Sequence, residues 1–200
     1  MPQTDGFRTF NAARWTILTA AGLAGGLTAG TLVGIPLGRL LDAMIAIAVM
    51  IGVIGAVLGA FQAAGLRMVV ARPSWWIAAT IVGVAAGLAL GVVLVQEIGI
   101  LLTGIPLRIA QLSTAMRAAS FVTVGLVAGT VLGVAQWIVL RAQRSTVRHW
   151  VVVCGAALAV AFCLASLLVD ASGLRYASGI GRFAFLIISG ILFGAMTSWP

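Results

Sequence analysis

The side chains best placed to do chemistry in this sequence are two glutamines and a threonine in apolar surroundings. Gln62 and Gln136 each follow two glycines, which precede the glutamine by seven and by three residues. Thr197 takes the same place after Gly190 and Gly194. Amide and hydroxyl groups exchange hydrogen bonds but do not ionise at neutral pH. The three residues therefore predict hydrogen bonds between helices or, alternatively, a polar ring that binds a ligand.

No cluster of residues in the sequence predicts catalysis or metal binding. The single histidine, His149, lies beside Arg148 in a polar segment, and one imidazole is too few ligands for a metal site. The acids Asp42, Glu97 and Asp170 lie near the ends of apolar segments rather than at their centres, where functional charges of transporters usually lie. We therefore expect that the chain is not an enzyme and needs neither a metal nor a cofactor.

The composition indicates that these residues lie on transmembrane helices. Of the 200 residues, 62% are hydrophobic and 8% are charged, and the mean hydropathy is +1.19. A soluble domain usually has about a quarter of its residues charged, so most of this surface must face lipid. A helix needs about 20 apolar residues to cross the hydrocarbon layer, and we predict six transmembrane helices. They span residues 15–35, 43–66, 75–95, 118–140, 150–169 and 182–199.

An internal repeat organises these helices. Five residues recur 74 positions later without a gap: Gly55, Gly59, Gln62, Arg67 and Trp76 become Gly129, Gly133, Gln136, Arg141 and Trp150. In addition, three tryptophans are each followed by small residues at intervals of seven, eleven and fifteen. These are Trp15 with Gly22, Gly26 and Gly30; Trp76 with Gly83, Gly87 and Gly91; and Trp150 with Ala157, Ala161 and Ala165. The repeating unit is therefore a pair of helices.

The expected fold is an all-α integral membrane protein made of three tandem two-helix hairpin repeats with a pseudo-threefold arrangement. The hairpins are residues 15–66, 75–140 and 150–199, after an N-terminal segment 1–14 in the cytoplasm. Each hairpin crosses the membrane twice, so all three enter in the same direction, as parallel repeats do. The middle hairpin has an insert, residues 96–117, which extends the third helix or lies along the interface.

Small residues are expected to hold the helices together. Helices in lipid associate by close backbone approach and interhelical hydrogen bonds, and small residues at every fourth position permit both. The predicted packing residues are Gly22, Gly26, Gly30, Gly55, Gly59, Gly83, Gly87, Gly91, Gly129, Gly133, Gly190 and Gly194. These faces offer more packing surface than a six-helix bundle needs, so some are expected to contact other proteins.

Arginines and tryptophans give the bundle two different ends. Seven of the twelve arginines lie at the end that carries both termini: Arg8, Arg14, Arg67, Arg72, Arg141, Arg144 and Arg148. All six tryptophans lie at that end too, and they predict an interfacial belt of Trp15, Trp75, Trp76, Trp137, Trp150 and Trp199. The positive-inside rule then places both termini in the cytoplasm of a bacterium, with the helices in its plasma (inner) membrane. The arginines are expected to contact anionic lipid headgroups rather than nucleic acid.

Two functions fit these features. The first is a structural or accessory subunit that packs with other integral membrane proteins or with itself. The alternative is a small transporter or channel with a pathway along the pseudo-threefold axis. Three sequential hairpins with a proline near the end of odd helices are similar in outline to the mitochondrial carriers, but Pro36 and Pro106 lack the acidic and basic residues that follow in that family. A water-accessible cavity that reaches Gln62, Gln136 and Thr197 would favour transport, and a dry, closed centre would favour the subunit.

Overall fold

The computed structural model describes residues 12–40, 42–66, 72–104, 112–141, 149–173 and 179–197, which form six α-helices. They are α1 (Ala12–Leu40), α2 (Ala43–Gly65), α3 (Pro73–Thr103), α4 (Thr114–Arg141), α5 (Trp150–Ala171) and α6 (Gly179–Thr197). Five of these described helices are long and apolar enough to cross a membrane. The sixth, α6, has 19 residues, with an apolar stretch over Ile187–Thr197. The described chain is therefore all-helical, consistent with a helical membrane protein.

The helix ends follow from local sequence. Asp42 caps α2, because its Oδ1 accepts a hydrogen bond of 2.7 Å from the backbone N–H of Met44. Pro73 begins α3, where its missing N–H costs nothing. Gly104 ends α3 with a φ of 72°, a left-handed conformation that favours glycine. Because α3 continues to Thr103, residues 96–103 of the insert extend this helix.

The six described helices close into a ring. Each helix packs against the next one along the chain, and α6 packs against α1. The apolar core follows the ring from Leu58 on α2 to Phe193 on α6, and a second cluster joins Trp15, Trp76 and the partly buried Trp150. The three tryptophans therefore lie at one end of the bundle, on α1, α3 and α5.

The predicted packing glycines face neighbouring helices inside this ring. A Cβ added at Gly87 of α3 would lie 2.8 Å from both Cα and O of Ala128 on α4. Glycines of α2, α4 and α6 lie against backbone atoms of α3, α5 and α1, respectively. The pairs are Gly55 with Ile81, Gly129 with Gly155, and Gly190 with Ala20. The glycine faces are thus occupied by the chain's own helices, which differs from the expected surplus of small-residue surface for partners.

Large apolar side chains cover the outside of the ring. On several helices, aliphatic residues are exposed over half or more of their surface: Ile17, Leu32, Val82, Leu90, Val152 and Leu168. Water would solvate these side chains poorly, whereas acyl chains are as apolar as they are. The described structure therefore buries its glutamines between the helices and exposes large apolar side chains on the outside, as a helix bundle in lipid does.

Candidate functional site

Gln136 is the central member of a buried hydrogen-bonded group at the tryptophan end. Its Nε2 donates to Oε1 of Gln62 over 3.1 Å and to Oγ1 of Thr80 over 3.2 Å. Its Oε1 accepts from the indole N–H of Trp150 over 3.3 Å. With Trp76, whose ring centroid lies 6.4 Å from that of Trp150, these residues form what we call the polar layer.

The glycine faces explain why the two glutamines meet. Gln136 lies three residues after Gly133, whose missing side chain lets α4 approach Val151 of α5. The glutamine is therefore on the face of α4 that points into the bundle, and Gln62 takes the same place on α2. The two side chains are 1% and 0% exposed, respectively. The sequence analysis predicted that these residues point inward and bond across helices; in the structure the two buried side chains bond to each other.

Thr197 belongs to a separate hydrogen-bonded pair. Its hydroxyl accepts from the indole N–H of Trp15 over 3.0 Å and donates to the backbone carbonyl of Phe193 over 2.7 Å. Gln62 and Gln136 bond to each other, whereas Thr197 bonds to a tryptophan of α1. The described contacts therefore form an amide pair and a threonine–tryptophan pair rather than one ring of three polar residues.

The tryptophans divide into buried and exposed ones. Trp15 and Trp76 are 2% and 0% exposed, so the prediction of a lipid-facing belt does not hold for these two side chains. The Trp15 indole packs against Gly65 of α2, where an added Cβ would lie 3.4 Å from Cε3 of the ring. Trp75 is 62% exposed, and Trp137 lies beneath the guanidinium of Arg141, 5.0 Å from the ring centroid. Trp199 lies outside the described residues.

Thr80 and the donor role of the tryptophans were missed by the sequence analysis. The signal was present, because Trp76 precedes Gly83 by seven residues, and Trp15 precedes Gly22 by the same interval. Seven residues are close to two helical turns, so each tryptophan lies on the same face as its glycines. Thr80 lies one turn after Trp76, and its hydroxyl donates to the Trp76 carbonyl over 2.9 Å.

An ion pair joins α4 and α5 at the opposite end. Arg117 donates from Nη1 to Oδ1 of Asp170 over 3.1 Å and from Nη2 to the carbonyl of Leu112 over 3.0 Å. The two charged side chains are 17% and 16% exposed. Close by along these helices, the rings of Phe121 and Phe162 meet edge to face with centroids 6.4 Å apart. Both ends of the α4–α5 contact are therefore fixed by specific side-chain interactions.

The polar layer can bind by hydrogen bonding, since amide, hydroxyl and indole groups supply donors and acceptors but no ionisable group. No protein-family model, curated protein or solved structure matches the chain. The function must therefore be inferred from the site itself.

Proposed function

We propose that the chain is a six-span bundle of three tandem hairpins with pseudo-threefold symmetry. Each small-residue face points to the next helix around the ring, and the contact of α6 with α1 repeats those of α2 with α3 and of α4 with α5. Trp15 and Trp150 also donate to equivalent positions, Thr197 and Gln136. Equivalent residues making equivalent contacts are what a duplicated hairpin would produce.

We propose further that this bundle is a structural or accessory subunit, which packs with other integral membrane proteins or with copies of itself. The observation that carries this proposal is that the polar layer is closed: its two glutamines, Gln62 and Gln136, are 0% and 1% exposed, and Thr197 of the separate pair is 2% exposed. A transport pathway needs a continuous channel lined by exposed polar groups, and these groups are buried between the helices. The closed layer therefore favours the subunit over the transporter or channel.

The surfaces left for a partner are the apolar outer faces, because the glycine faces are occupied within the bundle. The end of α3 is one example, where Leu101 is 84% exposed and Leu102 is similarly open. Leu40 at the end of α1 and Met44 at the start of α2 add exposed apolar area at the same end. Lipid with anionic headgroups would surround the rest, beside exposed arginines such as Arg72.

The oligomeric state of the protein at its native expression level tests this proposal. A tag at the chromosomal locus, extraction in a mild detergent and native-gel electrophoresis would give the mass of the assembly. We expect the protein to migrate together with another membrane protein in fixed stoichiometry, or as a homo-oligomer, at a mass well above the 20.5 kDa of one chain. Migration as a single chain in several mild detergents would contradict the subunit proposal.

We also propose that the bundle lies in the plasma membrane of a bacterium with both termini in the cytoplasm. Arg39 and Arg72 are exposed near opposite ends of the bundle, at the end of α1 and just before α3. In a background that carries Cys154→Ala and Cys163→Ala, we expect Arg39→Cys to react with an impermeant maleimide in intact cells. Arg72→Cys should react only after the cells are opened. Labelling of Arg72→Cys in intact cells would contradict this orientation.

A further inference from the structure

Two buried hydrogen-bond donors of the polar layer have no acceptor among the described residues. They are Nε2 of Gln62 and Nε1 of Trp76, and both side chains are 0% exposed. In the two equivalent contacts, by contrast, the indole N–H of Trp15 and that of Trp150 each reach an oxygen. The α2–α3 contact is therefore the one where the layer is incomplete, because Oε1 of Gln62 accepts from Gln136 instead.

These two donors differ from other buried polar atoms without a described partner. The hydroxyls of Thr19 and Ser189 are also unpaired, but a hydroxyl in a helix can rotate and donate to the carbonyl four residues earlier. Thr80 does this already with Trp76. The N–H of Trp76 is fixed in the plane of its ring and cannot rotate as a hydroxyl does, and the amide of Gln62 is held through its Oε1 by Gln136. Leaving both donors unpaired in an apolar bundle would be costly.

We propose that the α2–α3 contact encloses one bound acceptor atom, which receives hydrogen bonds from Gln62 Nε2 and Trp76 Nε1. The donors are uncharged N–H groups, so the ligand class is a small acceptor, either the oxygen of a water molecule or a halide ion. Gln62 lies three residues before the end of α2, and Trp76 lies three residues after the start of α3. The site is thus about 4.5 Å from the helix ends, a short distance for an acceptor that enters from the aqueous side.

This site is independent of the proposed subunit function. One enclosed acceptor completes the hydrogen bonds of the layer and does not make a pathway across the bundle. An accessory subunit and a homo-oligomer would both need it for the same structural reason. The test below concerns a single indole N–H, and its outcome leaves the co-purification experiment unaffected.

The indole N–H resonance of Trp76 tests the site in the whole protein. The protein is labelled with ¹⁵N-tryptophan and studied in micelles by NMR. The indole protons of Trp15 and Trp150 then give the chemical shift of a hydrogen-bonded N–H, and that of the exposed Trp75 gives the shift of a solvated one. The variant Thr197→Val removes the acceptor of Trp15, so its indole proton should shift upfield and mark the position of an unpaired buried donor. We expect the Trp76 proton to lie with the bonded pair and to exchange with D₂O more slowly than that of Trp75.

Two further measurements identify the acceptor. A cross-peak from the Trp76 indole proton to bound water supports water, and a shift of this resonance when chloride replaces gluconate supports a halide. The variant Gln62→Met removes the second donor, and we expect it to shift the Trp76 resonance and leave that of Trp15 in place. A Trp76 proton at the unpaired position overturns the proposal. So does a bonded proton with neither a water cross-peak nor a chloride shift, because its acceptor would then be part of the protein.

Discussion

Replacing Gly87 by alanine is expected to destabilise the bundle by about 2 kcal/mol, within the range for overpacked sites. The added Cβ would lie 2.8 Å from two backbone atoms of Ala128, which cannot move unless α3 and α4 separate. Separation would also weaken the neighbouring contacts of Gly83 and Gly91 with α4. The free energy of unfolding in mixed micelles, measured by titration with a denaturing detergent, gives the effect directly.

Two other glycines provide matched controls for this substitution. A Cβ at Gly52 of α2 would meet nothing within 4 Å, so Gly52→Ala should leave stability unchanged or raise it, since alanine is the better helix former. Gly25 and Gly26 are consecutive residues of α1 with different surroundings. A Cβ at Gly26 would lie 3.0 Å from the carbonyl of Ile54, whereas one at Gly25 would lie 3.7 Å from a side chain of α2. Equal effects at Gly25, Gly26 and Gly87 would refute the close-approach explanation.

The glycine spacing illustrates how much of this fold is readable from sequence. Small residues at every fourth position define one face of a helix, and in the structure Gly22 and Gly83 lie against a neighbouring helix. The spacing alone says nothing about which helix a face contacts. In the structure, Gly83 of α3 meets Leu132 of α4, whereas Gly190 of α6 meets Ala20 of α1, at the other end of the described chain. Which helix a glycine face contacts depends on how all six described helices can pack against one another at the same time.

The tryptophans illustrate what sequence leaves open. An indole near a helix end is equally suited to lipid headgroups and to the bundle interior, provided that its N–H finds an acceptor. Trp75 and Trp76 are neighbours in sequence, yet one is exposed and the other is buried, because one residue turns the side chain by about 100° around the helix. Whether an acceptor lies at the same level on the next helix depends on the packing angle, which periodicity does not specify.

The two glutamines, although they follow glycines at the same spacing in the sequence, are expected to differ in their contribution to stability. Gln136 takes part in three described hydrogen bonds, with Gln62, Thr80 and Trp150, whereas Gln62 takes part in one of them. Gln136→Met keeps the side-chain length but leaves the Trp150 N–H and the Gln62 amide unpaired in the core. We expect it to lower the free energy of unfolding by about 3 kcal/mol, and Gln62→Met to lower it by about 1 kcal/mol.

The double variant distinguishes a hydrogen-bonded network from two separate packing sites. If the shared bond matters, Gln62→Met together with Gln136→Met should cost less than the sum of the single changes, because the second substitution removes a group that the first had already left unpaired. Thr80→Val in the Gln136→Met background should likewise cost less than in the wild-type protein. Additive losses, or equal losses at the two glutamines, would mean that side-chain volume rather than the network accounts for the stability of this layer.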